Sequence, residues 1–105
     1  MSTKELNFPK TLKEAKSKIT PNNAPPGSDD GGYVYVCAAN GDGTPDLVVL
    51  NSNYYGAEQR YNINPSCTNG FQSLLAASTN NAFVWLTIDS DSTVTNVAVY
   101  NPQQG

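Results

Sequence analysis

The hydrophobic positions of this chain form five short runs with strand character. They cover Tyr33–Cys37, Asp46–Leu50, Glu58–Asn64, Asn80–Asp89 and Thr93–Tyr100. β-Branched and aromatic residues dominate most of these runs, as is usual in strands, and the third alternates more weakly. In the fourth run Phe83 and Trp85 alternate with Val84 and Leu86. Since successive strand side chains point to opposite faces, this run predicts a strand that is apolar on both sides.

The segment before the first strand predicts a short helix and then a long loop. Three apolar residues have helical spacing there: Leu12, Ala15 and Ile19. Thr11 and Glu14 have the spacing of a capping box at the start of this helix. A helix with one narrow apolar stripe has to dock on another surface or fray. Residues 20–32 hold three prolines and three glycines, which predicts a linker or a functional loop.

A second helix is predicted between the third and fourth strands. Its helically spaced residues are Phe71, Leu74, Leu75 and Ser78, and Thr68 or Asn69 is suited to cap it. The order of three strands, one helix and two strands is that of the OB-fold, a five-stranded Greek-key barrel. We therefore predict a mainly β fold with one helix, an OB-like barrel over residues 33–105 after an N-terminal appendage of residues 1–32. A mixed sheet with one helix packed on it is the alternative.

Charge is distributed unevenly along the chain. All five lysines lie within the first 18 residues, and Arg60 is the only basic residue after Ile19. The acidic residues of that later part are Asp29, Asp30, Asp42, Asp46, Glu58, Asp89 and Asp91. An acidic domain repels phosphate backbones, so we expect no nucleic-acid partner. The chain has no histidine, which excludes His-based acid–base catalysis, Ser-His triads and most zinc sites.

The composition favours a secreted or extracellular protein. Only 14% of the residues are charged, and 13 asparagines with many serines and threonines supply the remaining polarity. No apolar run approaches the roughly 20 residues of a membrane span, and the first 19 residues contain no apolar signal-peptide core. Cys37 and Cys67 suit one disulfide, which would restrain the unfolded chain by roughly 3–4 kcal/mol. Two buried thiols are the alternative.

The Gly-rich hinge between the first two strands can be interpreted in two ways. Calcium needs several oxygen ligands from a loop that doubles back, and four residues have the required alternation: Asn40, Asp42, Thr44 and Asp46. The stretch from Asn40 to Val49 resembles the calcium loop of FG-GAP repeats, although Ala38 stands where that family has its first aspartate. The other interpretation is a hairpin turn, because Asn-Gly and Asp-Gly supply the positive φ values that tight turns need.

A longer resemblance extends over about 65 residues. The turn residues Ala39-Asn40-Gly41, Gly43-Thr44-Pro45 and the following Val48-Val49 are similar to a turn in the B subunits of pertussis-like and subtilase-type bacterial toxins. The helix residues Phe71, Leu74 and Leu75, a polar break and two final strands follow in the same order as in that family. The resemblance implies an OB-fold that assembles in rings of five and binds cell-surface glycans.

Two groups of residues are candidates for glycan binding. The resemblance implies a sialic-acid pocket near the first strand, where the nearest matching residues are Ser28, Asp29, Asp30 and Tyr33. The second group lies in one polar, aromatic segment: Asn53, Tyr54, Tyr55, Glu58 and Arg60. Aromatic rings can support a sugar ring while amides and carboxylates hydrogen-bond its hydroxyls. For Trp85, inside an apolar strand, packing in the core is the simpler role.

These observations favour a non-catalytic glycan-binding module that forms a homo-oligomer. One alternative is a structural subunit of a secreted or surface appendage, with the N-terminal helix docked on a neighbour. A weak calcium-binding β module is another. We expect no enzyme, because no nucleophile or base stands at motif spacing from the acidic residues.

Overall fold

The computed structural model describes residues 8–19 and 29–102. The elements are α1 Leu12–Lys18, β1 Asp29–Ala39, β2 Pro45–Ser52, β3 Ala57–Ile63, α2 Thr68–Asn80, β4 Phe83–Ile88 and β5 Thr93–Tyr100. The five strands form a closed barrel in the order β1-β2-β3-β5-β4. Four of the five junctions are antiparallel, and β3 pairs with β5 in parallel. The prediction of a mainly β, OB-like barrel is therefore confirmed, and the open mixed sheet is excluded.

Two apolar clusters, one on each side of the sheet, hold this barrel together. The inner cluster fills the barrel and contacts α2; its fully buried members include Val48, Leu50, Leu74, Val84, Leu86 and Val94. The outer cluster lies between the sheet and α1, and it contains Leu12, Ala15, Ile19, Phe83, Trp85 and Tyr100. The alternation along β4 explains why both exist, since Val84 and Leu86 face inward while Phe83 and Trp85 face outward. Trp85 is thus a packed residue, as predicted.

Helix α1 docks on the barrel. The Thr11 hydroxyl accepts a hydrogen bond from the Glu14 backbone N–H at 3.1 Å, which satisfies one free donor of the first turn. The apolar stripe of α1 is buried against the outer face of β4 and β5. The Tyr100 hydroxyl also donates a buried hydrogen bond of 2.7 Å to the carbonyl of Pro9. A helix of only seven residues is marginal alone, so these contacts hold it in place.

Helix α2 begins at Thr68, so its N-cap lies one residue before the first predicted cap and two before the second. Its N-cap is Cys67, which makes no side-chain capping hydrogen bond, so the prediction of a Thr68 or Asn69 cap is wrong. The helix ends at Asn80, and its C-cap Asn81 has a positive φ of 54°, the left-handed conformation common after helix ends. Among the residues that the structure describes, no helix is long and apolar enough to cross a membrane.

Strand β1 begins at Asp29, four residues before the predicted start at Tyr33. The aspartates and glycines of this stretch have low strand propensity, but tertiary pairing overrides it. Residues 29–33 pair with Thr87 to Phe83 of β4. Gly31 and Gly32 fit because the backbone approaches its neighbours closely. A Cβ on Gly32 would collide with the Asn51 carbonyl, and one on Gly31 would lie 2.8 Å from Ile19 Cδ1.

Cys37 and Cys67 are free thiols, so the predicted disulfide is absent from this structure. Cys37 faces the barrel core from β1, opposite Val48. Cys67 also packs against that core, with its sulfur against Gly70 at the start of α2. Burial raises the pKa of Cys37 to about 11. It also raises the pKa of Cys67, because the thiolate would lose solvation there.

Candidate functional site

The outward face of β1, β2 and β3 brings several of the predicted site residues together. One cross-strand row joins Tyr33, Asn51 and Glu58. The next row joins Val36, Val49 and Arg60. Directly opposed residues of antiparallel strands have Cβ atoms about 4.5–5.5 Å apart and share one face. An aromatic ring, an amide, a carboxylate and a guanidinium therefore lie on one surface, which we name the β1–β3 face.

The β2–β3 turn, residues 53–56, borders this face with two aromatic side chains. The Tyr54 and Tyr55 ring centroids are 4.8 Å apart, with 34° between the ring planes. Tyr54 packs against the outer cluster, whereas Tyr55 is 50% exposed. Tyr55 is therefore the aromatic residue of the turn that is available to a ligand.

Asn53 has a structural role in the same turn. Its backbone N–H donates to the Gly31 carbonyl at 2.7 Å. Its side-chain amide donates to the carbonyl of Ile19 at 3.0 Å. One residue thus ties the turn both to β1 and to the end of α1. The amide nitrogen is engaged in the fold, which leaves the side-chain oxygen as the group for a ligand.

Tyr33 is held from two sides. The Phe83 ring meets it edge to face, with centroids 5.6 Å apart and 81° between planes. The Lys16 ammonium of α1 lies 5.4 Å from the Tyr33 ring centroid, within cation–π range. The ring is partly buried, so only part of it is accessible to a ligand.

The residues before Tyr33 do not form a pocket with it. Asp29 accepts a hydrogen bond from the Trp85 indole N–H at 3.2 Å and lies on the β4 side of β1, opposite Thr87. Asp30 points into the barrel and is only 1% exposed, so it is not a surface ligand. Ser28 lies outside the described residues.

Three contributors to this region were not predicted from the sequence. Asn51 completes the first row of the β1–β3 face, and only the register of β2 shows this. Ser52 and Tyr61 donate hydrogen bonds of 2.8 and 2.7 Å to the two carboxylate oxygens of Asp30. No local pattern signals them, because a serine ending a strand and a tyrosine within one are ordinary residues. The pKa of Tyr61 is raised by burial, and further by its hydrogen bond to Asp30.

The β1–β2 hinge forms a closed turn. The Asp42 carboxylate accepts the Thr44 backbone N–H at 2.9 Å, and hydrogen bonding to the Thr44 side chain, together with this backbone bond, lowers the Asp42 pKa. The Thr44 carbonyl accepts the Asn40 backbone N–H at 2.8 Å, and Gly43 has the positive φ of 90° that such turns require. The Asp42 carboxylate and the Thr44 carbonyl both have structural roles in the turn. Within residues 8–19 and 29–102, no three His, Cys, Asp or Glu side chains are grouped for a metal ion.

These observations define a class of molecule: a closed, five-stranded OB-like barrel with one helix between its third and fourth strands in sequence, and a second helix packed on its outer face. Comparisons of the chain with family models, curated proteins and solved structures give no match.

Proposed function

We propose that this chain is a non-catalytic glycan-binding module, similar in role to the B subunits of pertussis-like and subtilase-type toxins. The observation that carries the proposal is the β1–β3 face beside the exposed Tyr55. OB-fold barrels commonly bind oligosaccharides or oligonucleotides on the face of their second and third strands. The acidic surface after Ile19 favours the sugar over the nucleic acid.

The chemistry of the face suits a sugar. Glu58 and Arg60 are exposed on β3 and point to the same side, so one accepts and the other donates hydrogen bonds to hydroxyl groups. Asn51, exposed on β2 beside Glu58, can do both. The Tyr55 ring supplies an apolar surface for the C–H groups of a sugar ring. The ligand would then lie across β2 and β3, with its ring against the turn.

Other acidic residues support a non-catalytic role. Asp89 accepts backbone N–H groups of Asp91 and Thr93 at 2.9 and 3.0 Å in the β4–β5 turn. Asp42 has the equivalent role in the β1–β2 turn. Carboxylates that cap turns stabilise local structure and do not need a substrate. Secretion and display at a cell surface remain part of the proposal, on the grounds of composition.

A glycan array probed with the labelled chain tests this function. We expect the wild type to bind a defined set of sugars and Tyr55→Ala to lose at least about ten-fold in affinity, the scale of one lost stacking contact. Gln72→Ala is the control, because Gln72 is exposed on α2, away from the β1–β3 face. An array without binding, or equal losses in both variants, would refute the proposal.

We also propose that the module assembles with copies of itself. Among the described residues, β1 after Tyr33 and β5 after Val94 have a strand neighbour on one side only. Four large hydrophobic residues are exposed within residues 8–19 and 29–102, and three of them lie on these half-paired segments: Tyr35, Val36 and Val99. Unpaired strand edges with apolar side chains are sites where another chain can add. Two different edges on one chain favour head-to-tail contacts, which close into a ring when the rotation permits.

A further inference from the structure

The Asp30 carboxylate lies within the barrel and is completely hydrogen-bonded. Its Oδ1 atom accepts the Gly31 backbone N–H at 2.7 Å and the Ser52 hydroxyl at 2.8 Å. Its Oδ2 atom accepts the Tyr61 hydroxyl at 2.7 Å. A carboxylate is costly to bury unless donors of this kind surround it. Three strands thus contribute to one buried polar cluster, formed by Asp30, Ser52 and Tyr61.

Ser52 connects this cluster to the surface. It ends β2, and its hydroxyl oxygen accepts the Tyr55 backbone N–H at 3.0 Å. The hydroxyl has a single proton, which it donates to Asp30. The Ser52 carbonyl also accepts the Gly56 backbone N–H at 2.9 Å. One buried serine therefore holds the turn that presents Tyr55, while Asp30 holds that serine.

We propose that Asp30 is a positioning residue for the β2–β3 turn, acting through Ser52, and that this chain of hydrogen bonds keeps Tyr55 in its ligand-binding position. Tyr55 is half exposed, so packing restrains its side chain less than it would a buried tyrosine. Hydrogen bonds in a buried chain polarise and strengthen one another. The interior of the barrel thereby sets the geometry of its exterior site. The role of Tyr55 in binding rests on the proposed function. The series of hydrogen bonds from Asp30 through Ser52 to Tyr55 is independent of that function.

The structure offers a matched pair of variants. Ser52→Ala removes one donor from Asp30 and also the acceptor of the Tyr55 N–H. Tyr61→Phe removes the other hydroxyl donor from the same carboxylate, but it leaves the link from Asp30 through Ser52 to Tyr55 in place. Both substitutions should lower stability, because each leaves Asp30 with one fewer hydrogen bond. Only Ser52→Ala should also free the Tyr55 amide, since it alone removes the acceptor of that N–H.

Amide hydrogen exchange of Tyr55, followed by NMR, separates the two effects. In the wild type we expect this amide to exchange at least about ten-fold more slowly than in an unstructured peptide. In Ser52→Ala it should lose most of that protection and the Tyr54 and Tyr55 ring resonances should move. In Tyr61→Phe the unfolding midpoint should fall while Tyr55 keeps its protection under native conditions.

Two results would overturn the inference. One is an unprotected Tyr55 amide in the wild type, which needs no variant to fold. The other is equal release of the turn by both variants. Because the exchange measurement uses no ligand, its outcome is independent of the glycan array. Binding without turn protection would reject the positioning role alone, whereas turn protection without glycan binding would reject the proposed function alone.

Discussion

Residues of the same type have different roles in this barrel, and the sequence alone does not distinguish them. Among the tyrosines, Tyr55 is exposed, Tyr100 anchors α1 and Tyr61 donates to a buried carboxylate. The difference arises from their positions: Tyr55 lies in the β2–β3 turn, Tyr61 on the inner side of β3 and Tyr100 on the outer side of β5. The chemical behaviour of these side chains should differ accordingly.

Tyr61 should make the fold sensitive to alkaline pH. Burial and the bond to Asp30 raise its pKa above the ordinary value, so it stays protonated in the folded state while the unfolded state ionises near pH 10. The unfolded state then binds fewer protons, and stability falls as pH rises above about 10. Denaturant melts from pH 7 to 11 should show this fall and a shallower one in Tyr61→Phe. Identical slopes would show that Tyr61 does not contribute.

The two thiols should react slowly in the folded protein. The raised pKa values of Cys37 and Cys67 keep both mainly protonated at pH 8, and the thiolate is the reactive form. Iodoacetamide labelling followed by mass spectrometry should show little modification in buffer and two modified sites in denaturant. A mass two hydrogens lower, without labelling in denaturant, would reveal a disulfide instead and contradict the structure.

At the scale of elements, α1 is the part most dependent on its neighbours. Leu12 is 5% exposed and packs in the outer cluster, whereas the adjacent Lys13 is exposed. Truncating a buried leucine removes apolar contacts and leaves a cavity. Leu12→Ala should lower the unfolding free energy by about 2–3 kcal/mol, or detach α1 while the barrel stays folded.

Lys13→Ala is the control for that experiment and should change stability by less than about 0.5 kcal/mol. Urea melts give the free energies, and Trp85 fluorescence reports loss of α1 because the indole lies beneath it. A Leu12→Ala protein with wild-type stability and fluorescence would show that α1 does not hold its place on the sheet.

Strong periodicity made most of the elements predictable from the sequence. Strand β5 has the predicted limits. The alternation along β4 predicted that this strand contributes apolar side chains to both of its faces, as the two clusters show. The start of β1 was missed because Asp30 and Gly32 are stabilised there by β4, Ser52 and Tyr61, all distant in sequence. The turn with Tyr54 and Tyr55 was found through its composition. Asn51 was not, because its place beside Glu58 depends on strand register.

At the scale of the whole molecule, the closed barrel has two edges where a strand pairs with another strand on one side only, β1 after Tyr33 and β5 after Val94. If copies associate through the edges, native mass spectrometry at micromolar concentration should show an oligomer, and a pentamer would match the ring implied by the toxin resemblance. Val99→Asp should shift the population to monomer, since Val99 is 40% exposed on β5 and a charge there opposes burial. Tyr55→Ala, outside both edges, should leave the oligomer intact. A monomeric wild type would contradict the assembly proposal.

The pairing of β1 with β4 also has a consequence for synthesis of the chain. The first residues of β1 find their strand partners only in β4, as Asp29 does in Thr87. A ribosome adds roughly 5–20 residues per second. For seconds after its own synthesis, β1 therefore lacks its β4 partner, and the Asp30 carboxylate stays accessible to water. The donors of that carboxylate arrive earlier, on β2 and β3. Strands β1 to β3 can therefore form the polar cluster of Asp30, Ser52 and Tyr61 first. The β4–β5 hairpin then buries this cluster.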